Sequence, residues 1–348
     1  MKRISSLLPL VCGFAALLLF SGCAEKRPTL HVYIWSDYIE PELISRFEEA
    51  HNCRVVMDFY DSNETMYAKL KAGADGYDII VPSSYMVNIM AEQEMLLPMD
   101  HALIPNLKYI DPSYRKFSMD PGMKYSVPYM VGTTGIGYRK DRVEDFEPSW
   151  TLFGNPAYAG RMTLLNDMWE VIGAALLTLG YSLNSTDNAQ LAEARDLVIS
   201  WKKNIAKFES DQYKNGLVSA EFVISQGYSG DVMQVMEESE EIVYAVPKEG
   251  TSIFSDEMAI LRNAPEPELA HAWINFMHEP EIAAANIDFV WYLAPNTGAY
   301  ALVSDEIKNE PSVMLSEAIL AKSEAIRDLG EDNAKYVKIW DEIKSATP

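Results

Sequence analysis

The sequence predicts an α/β protein of two domains. From Leu30 to Val81 a strand, a helix, a strand, a helix and a strand follow one another, the pattern of a parallel sheet covered by helices. A second α/β run occupies 161–246. Between the two lies Val131-Gly132-Thr133-Thr134-Gly135-Ile136-Gly137-Tyr138, a small-residue crossover suited to a hinge. Of the 348 residues the first 22 read as an export signal, leaving 348 − 22 = 326, which suits two domains at ~150 residues each.

The elements follow in order. Leu30–Trp35 is a strand-like run that stops at the turn pair Ser36-Asp37. Pro41 opens a helix on which Leu43, Ile44, Phe47 and Ala50 recur at helical spacing. Arg54–Tyr60 is the second strand, and Asp61 with Glu64 predicts a capping box for the helix carrying Met66, Tyr67 and Leu70. Tyr77–Val81 is a short buried strand closed by Pro82-Ser83-Ser84. Arg161–Leu165 reads as a strand ending in Asn166-Asp167, and Val171–Leu179 as an apolar helix. Asp187–Asn204 is amphipathic, Phe222–Ser225 and Ile242–Val246 are strands, and Met258–Leu261 is a second crossing strand. Helices follow at Glu268–Met277, Pro280–Ile287 and Asn333–Lys344. Ligands of such sheets collect at the carboxyl ends of the strands. Two of the first three strand ends are polar and aromatic, Trp35-Ser36-Asp37-Tyr38 and Ser83-Ser84-Tyr85.

Charge narrows the function classes. Lys+Arg number 29 against 51 Asp+Glu, a net −22 that becomes −24 when Lys2 and Arg3 leave with the signal. Such a surface repels phosphate backbones, which excludes nucleic acid, and attracts small cations. With 48% hydrophobic and 23% charged residues the composition is that of a globular protein.

Lys2 and Arg3 precede an apolar stretch, Leu7–Phe20, too short for a comfortable membrane span. It ends in Phe20-Ser21-Gly22-Cys23, which resembles a bacterial lipobox although Phe20 stands where leucine is usual. Cleavage before Cys23 would leave it as a lipidated N-terminus; the alternative is an ordinary secretory signal with a stray cysteine. Cys12 leaves with the signal, so Cys53 has no disulfide partner and reads as a small core residue.

Catalytic signatures do not assemble. The five histidines lack zinc spacing. Gly132-Thr-Thr-Gly-Ile-Gly is not the dinucleotide order, and Asp61-Ser62-Asn63-Glu64 lacks the glycine and closing glutamate of a calcium loop. Gly227-Tyr228-Ser229-Gly230 is one residue short of a nucleophile elbow.

Five blocks in sequence order carry a resemblance: Trp35–Ile39, Asp61–Leu70, Tyr77–Ser83, Thr133–Tyr138 and Pro247–Gly250. Over essentially the whole mature length the chain resembles the spermidine/putrescine-binding receptors of bacterial polyamine ABC importers. The resemblance implies a two-lobed periplasmic-binding-protein type II fold with two inter-lobe crossovers, closing on its ligand. It implies a signal peptide over 1–22, one lobe built from 23–134 plus 257–303, and a second from 135–256 plus 304–348. It also implies a monomeric periplasmic receptor that takes putrescine and spermidine, uses no cofactor, catalyses no reaction and delivers to permease subunits, held to a membrane by lipid on Cys23.

Ligand chemistry is consistent with this. A polyamine is a methylene chain punctuated by ammonium groups, so its site needs spaced carboxylates with aromatic faces between them. By the resemblance, Trp35, Ser36, Asp37 and Tyr38 form a first contact loop, and Ser83 and Tyr85 the next. Asp167 and Glu170 are a carboxylate pair of the second lobe, and they also suit a helix N-terminus. Tyr228 and Phe254 are aromatic walls standing where tryptophans are common, Asp231 is the carboxylate used by putrescine-type receptors, Asp256 is the principal ammonium anchor, and Tyr292 closes the slot. Spermidine-type receptors place a glutamine near the C-terminus where this chain has Ile326-Arg327-Asp328; either Arg327 points away or the slot is shorter. Two other classes stay open. A ferric-iron receptor of the same fold would use adjacent tyrosines, and the chain has no Tyr-Tyr pair. An exported enzyme on a cationic substrate would need a proton-transfer group, and only His31 lies near a site motif.

Overall fold

The structure is a computed structural model that describes residues 27–347. The export signal and Cys23 lie outside the described residues. Among the described residues no helix is long and apolar enough to cross a membrane.

Among the described residues ten strands form one continuous sheet: β1 (Thr29–Trp35), β2 (Arg54–Tyr60), β3 (Ile79–Ile80), β4 (Ser126–Arg139), β5 (Met162–Leu164), β6 (Ile205–Phe208), β7 (Ile224–Tyr228), β8 (Ile242–Ala245), β9 (Thr251–Ile260) and β10 (Ser323–Ala325). Their order is β2-β1-β3-β9-β4-β7-β5-β6, with β8 beside β4 and β10 beside β9. The strands β1, β2 and β3 run parallel, as do β5, β6 and β7. The long strands β4 and β9 run antiparallel to each other between these groups. Strand β4 changes partner midway: up to Thr133 it pairs with β9, and from Thr134 it pairs with β7.

The crossover predicted as a hinge is thus part of a continuous 14-residue strand. Its glycines keep φ negative; their purpose is close approach. A Cβ at Gly132 would lie 2.6 Å from the Phe254 ring, and one at Gly135 would lie 2.6 Å from the Tyr244 ring. The second crossing strand starts at Thr251, seven residues before the predicted Met258, because its cleft-facing stretch is polar and does not read as a buried strand.

Apolar faces of the helices cover both groups. On one side Phe47 of helix Pro41–His51 meets Trp273 of helix Pro267–Met277 edge-on at 4.9 Å, and Cys53 is buried nearby. On the other, Phe153 packs against Trp150 at 6.4 Å and against Trp201 of helix Asn188–Lys202 at 6.0 Å. The predicted capping box is shifted by one. Ser62 is the N-cap, accepting from the Thr65 amide at 3.2 Å, because its extended backbone aims Oγ at the helix end. Glu64, free of the capping role, accepts the Tyr85 hydroxyl at 2.9 Å.

Candidate functional site

The cleft gathers at the carboxyl ends of β1, β2, β3, β5, β6 and β7, with β9 crossing its floor. It encloses about 90 Å³, several times the ~10–15 Å³ that one water occupies. Every sequence-predicted residue but one lines it: Trp35, Ser36, Tyr38, Ser83, Tyr85, Asp167, Glu170, Tyr228, Asp231, Phe254, Asp256 and Tyr292.

Asp37 is the exception. Its backbone adopts the left-handed region (φ 53), and its exposed carboxylate turns out of the cleft to Lys214 Nζ at 2.8 Å. The resemblance puts Asp37 in the first contact loop, whereas its side chain is paired to a residue 177 positions away.

Asp256 is 5% exposed and is held from both sides. The Ser83 hydroxyl donates to Oδ1 at 2.6 Å and the Tyr38 hydroxyl to Oδ2 at 2.8 Å. Burial lifts its carboxyl to about 6, the two donors pull against that, and the Asp231 charge adds to it. Asn63 orients Ser83, donating to its Oγ and accepting from its amide, each at 3.1 Å.

Asp167 and Glu170 open helix Met168–Thr178. Asp167 is the N-cap, accepting from the amides of Trp169 and Glu170, while Glu170 accepts the Ser252 hydroxyl at 2.6 Å. Burial raises both carboxyls well above the usual range. The Glu64 charge adds to the rise at Asp167, and the Asp167 charge to that at Glu170. The helix-terminal and site roles of this pair coexist.

Asp231 is gripped by two phenols: Tyr292 donates to Oδ1 at 2.7 Å and Tyr213 to Oδ2 at 3.0 Å. The aromatic wall runs from Tyr228 edge-on to Phe254 at 5.6 Å, then to Tyr292 at 6.0 Å and Tyr38 at 5.1 Å. Trp35 donates its indole N–H to the Val81 carbonyl and rests on Tyr60 at 4.6 Å. Two glycines let the wall close up. Gly132 sits under Phe254, and a Cβ at Gly230 would collide with the Tyr292 ring.

Several contributors escaped the sequence reading. Trp169, between the two named acids, faces Tyr85 at 5.8 Å and restores an indole to a box that Tyr228 and Phe254 had thinned. Tyr60, Asp61, Asn63, Phe117, Ser210 and Asp211 also line the cleft; the position of Ser210-Asp211 just after β6 is the signal that would have found them. Arg327 is exposed and points away, leaving Ile326 at the wall. Among the described residues the lining therefore holds six carboxylates (Asp61, Asp167, Glu170, Asp211, Asp231, Asp256) and no Lys, Arg or His. Among the described residues no group of three or more His, Cys, Asp and Glu stands close enough to hold a metal ion.

Contacts cross the cleft between the two strand groups. Trp169 donates its indole N–H to Glu64 Oε1 at 3.4 Å, and Ser36 donates to Asp211 at 3.4 Å. Asn88 donates to Asp328 at 3.1 Å.

Residues 42–314 match the family described as bacterial extracellular solute-binding proteins. The chain is 34% identical to the putrescine-binding periplasmic protein SpuD of Pseudomonas aeruginosa, covering 99% of each. It is 33% identical to the spermidine/putrescine-binding periplasmic protein of Escherichia coli, covering 97% of each. Among solved structures, the TpPotD lipoprotein of Treponema pallidum superposes with a TM-score of 0.82 at 34% identity, over 90% of this chain and 99% of that one. The spermidine/putrescine ABC transporter substrate-binding protein PotD of Streptococcus pneumoniae gives 0.79 at 34%, over 91% and 98%. These relatives are transport receptors and not enzymes, and their fold is the periplasmic-binding-protein type II arrangement seen here. The chain belongs to the bacterial extracellular solute-binding proteins, alongside the spermidine/putrescine-binding receptors of ABC importers.

Proposed function

We propose that the chain is the lipid-anchored receptor of a polyamine importer, taking putrescine and spermidine into this cleft and delivering them to ABC permease subunits. One observation carries the reading: six carboxylates interleaved with aromatic rings line a slot that holds no basic residue. Among the described residues Asp167, Glu170 and Asp256 stand in this slot without an ion pair, which is costly for acids taken out of water, and an ammonium-bearing chain supplies their counter-ions. Asp256 and the Asp167/Glu170 pair take ammonium groups, displacing their protons. The rings of Trp35, Trp169, Tyr228, Phe254 and Tyr292 cover the methylenes and meet the cations face-on.

The lobes are 23–134 plus 257–303 and 135–256 plus 304–348. The change of partner along β4 between Thr133 and Thr134 supports the first boundary. Lipid attachment at Cys23 draws support from the Phe20–Cys23 motif and from a relative that is itself a lipoprotein. The receptor acts as a periplasmic monomer.

Calorimetry with a panel of diamines, triamines and amino acids tests the function. Saturable binding of putrescine, with none of neutral amino acids, is expected. A protein that binds no polyamine would refute it, and native mass spectrometry would show what it carries instead.

A further inference from the structure

Lys214 stands at one end of this acidic cleft, just behind the lining. It projects from helix Tyr213–Val218, and its side chain is only 9% exposed. Its ammonium lies 2.8 Å from Asp37 Oδ2, 3.8 Å from Asp231 Oδ2 and 3.9 Å from Asp211 Oδ1. Burial would lower its pKa, yet the charges of Asp231, Asp37 and Asp211 outweigh that and hold it above the ordinary lysine value. A lysine side chain is a four-carbon stem ending in a primary ammonium. Chemically it is one arm of a diamine, tied to the wall of the site.

We propose that Lys214 is a specificity-determining residue, its ammonium filling the cation position among Asp37, Asp211 and Asp231 so that a bound polyamine is held only between Asp256 and the Asp167/Glu170 pair. The inference rests on the polyamine reading above. A diamine spends both ammonium groups on those acids. The longer arm of a triamine reaches toward an end of the slot where the carboxylates are already neutralised, and it meets a like charge. Asp37 accordingly contributes to clamping, since Lys214 and Asp37 lie on opposite sides of the cleft, and leaves anchoring to Asp256.

The test compares putrescine and spermidine affinities in the wild type and in Lys214→Met, whose apolar side chain has similar length and no charge. The wild type should bind putrescine at least as tightly as spermidine. The variant should shift the ratio toward spermidine by tenfold or more, and Lys214→Arg should leave it near the wild-type value. A ratio unchanged in a Lys214→Met protein that melts cooperatively overturns the proposal. If that variant does not fold, the wild-type ratio decides: spermidine tenfold tighter than putrescine overturns the proposal, and parity or a putrescine preference supports it. Failure of the wild type to bind either amine would instead sink the polyamine reading, and this inference with it.

Discussion

The Tyr38 hydroxyl donates to Asp256 Oδ2 at 2.8 Å, joining the loop after the first strand to the second crossing strand over 218 positions of sequence. With Ser83 on the other oxygen, it fixes the orientation of the acid best placed to take an ammonium. Stripping one partner from a buried charge pair costs roughly 3–5 kcal/mol. Asp256→Ala should therefore weaken putrescine binding by two orders of magnitude or more, with circular dichroism unchanged. Unaltered affinity would remove Asp256 from the site.

Tyr38→Phe deletes one of the two donors that oppose the rise of the Asp256 carboxyl above its ordinary range. Its pKa should climb past about 6, so putrescine affinity should reach half its plateau at a higher pH than in the wild type. Calorimetric titrations at several pH values read this, and coincident profiles would contradict it.

Stability without amine should fall as pH rises. Burial raises the folded-state pKa of Asp167, Glu170, Asp256 and Glu257 above their ordinary values, to about 6 for Asp256 and about 7 for Glu257. Between the unfolded value near ~4 and these raised values the folded protein binds more protons than the unfolded chain, so unfolding becomes easier as pH increases. Glu209 and Asp141 are shifted the other way, but their contributions are complete by the foot of that window; His278, whose pKa burial lowers, opposes the trend only up to its ordinary value of 6.5 and is one group against four acids. The Tm should be lower at pH 8 than at pH 5, and saturating putrescine should narrow the gap while releasing protons. A Tm that climbs across this range would be incompatible with the raised acids.

Gly230→Ala should lower both Tm and affinity, because the new methyl collides with the Tyr292 ring that also grips Asp231. Overpacking of this kind costs roughly 1–3 kcal/mol, about fivefold to 150-fold if it falls on binding. Gly122→Ala, where a Cβ meets nothing within 4 Å, is the control and should leave both unchanged. Equal behaviour of the two variants would show that the wall yields.

Putrescine should compact the protein in small-angle scattering and raise its Tm by mass action. The bonds from Trp169 to Glu64 and from Asn88 to Asp328, which span the cleft, define the closed geometry. A scattering profile indifferent to saturating amine would count against a clamp.

What was legible in the sequence was local. β1 and β2 announce themselves because β-branched and aromatic residues fill short runs bounded by turn residues, and the acid–aromatic loops sit where the strands end. Long-range partners left no trace. Nothing around Asp37 shows that Lys214 will claim it. The strand Ser323–Ala325 exists only because Thr251–Ile253 offers it an edge. Trp169 precedes the apolar run Val171–Leu179 and carries no signal of its own; the helix starts at Met168, capped by Asp167, and its first turn brings Trp169 to 5.8 Å from Tyr85.

Gly132 and Gly230 also bear on how ligand preference can drift. The Phe254 and Tyr292 rings occupy positions left open by missing side chains, so a side chain added at Gly132 or Gly230 disturbs the packing of the wall before it can retune the pocket. Tyr85 and Lys214 are held by side chains instead: the Tyr85 hydroxyl donates to Glu64, and Lys214 reaches Asp37, Asp211 and Asp231 from the end of a four-carbon stem. A lineage, or an engineer, seeking a different amine therefore has a short route through Tyr85 and Lys214, and almost none through the glycine-backed rings.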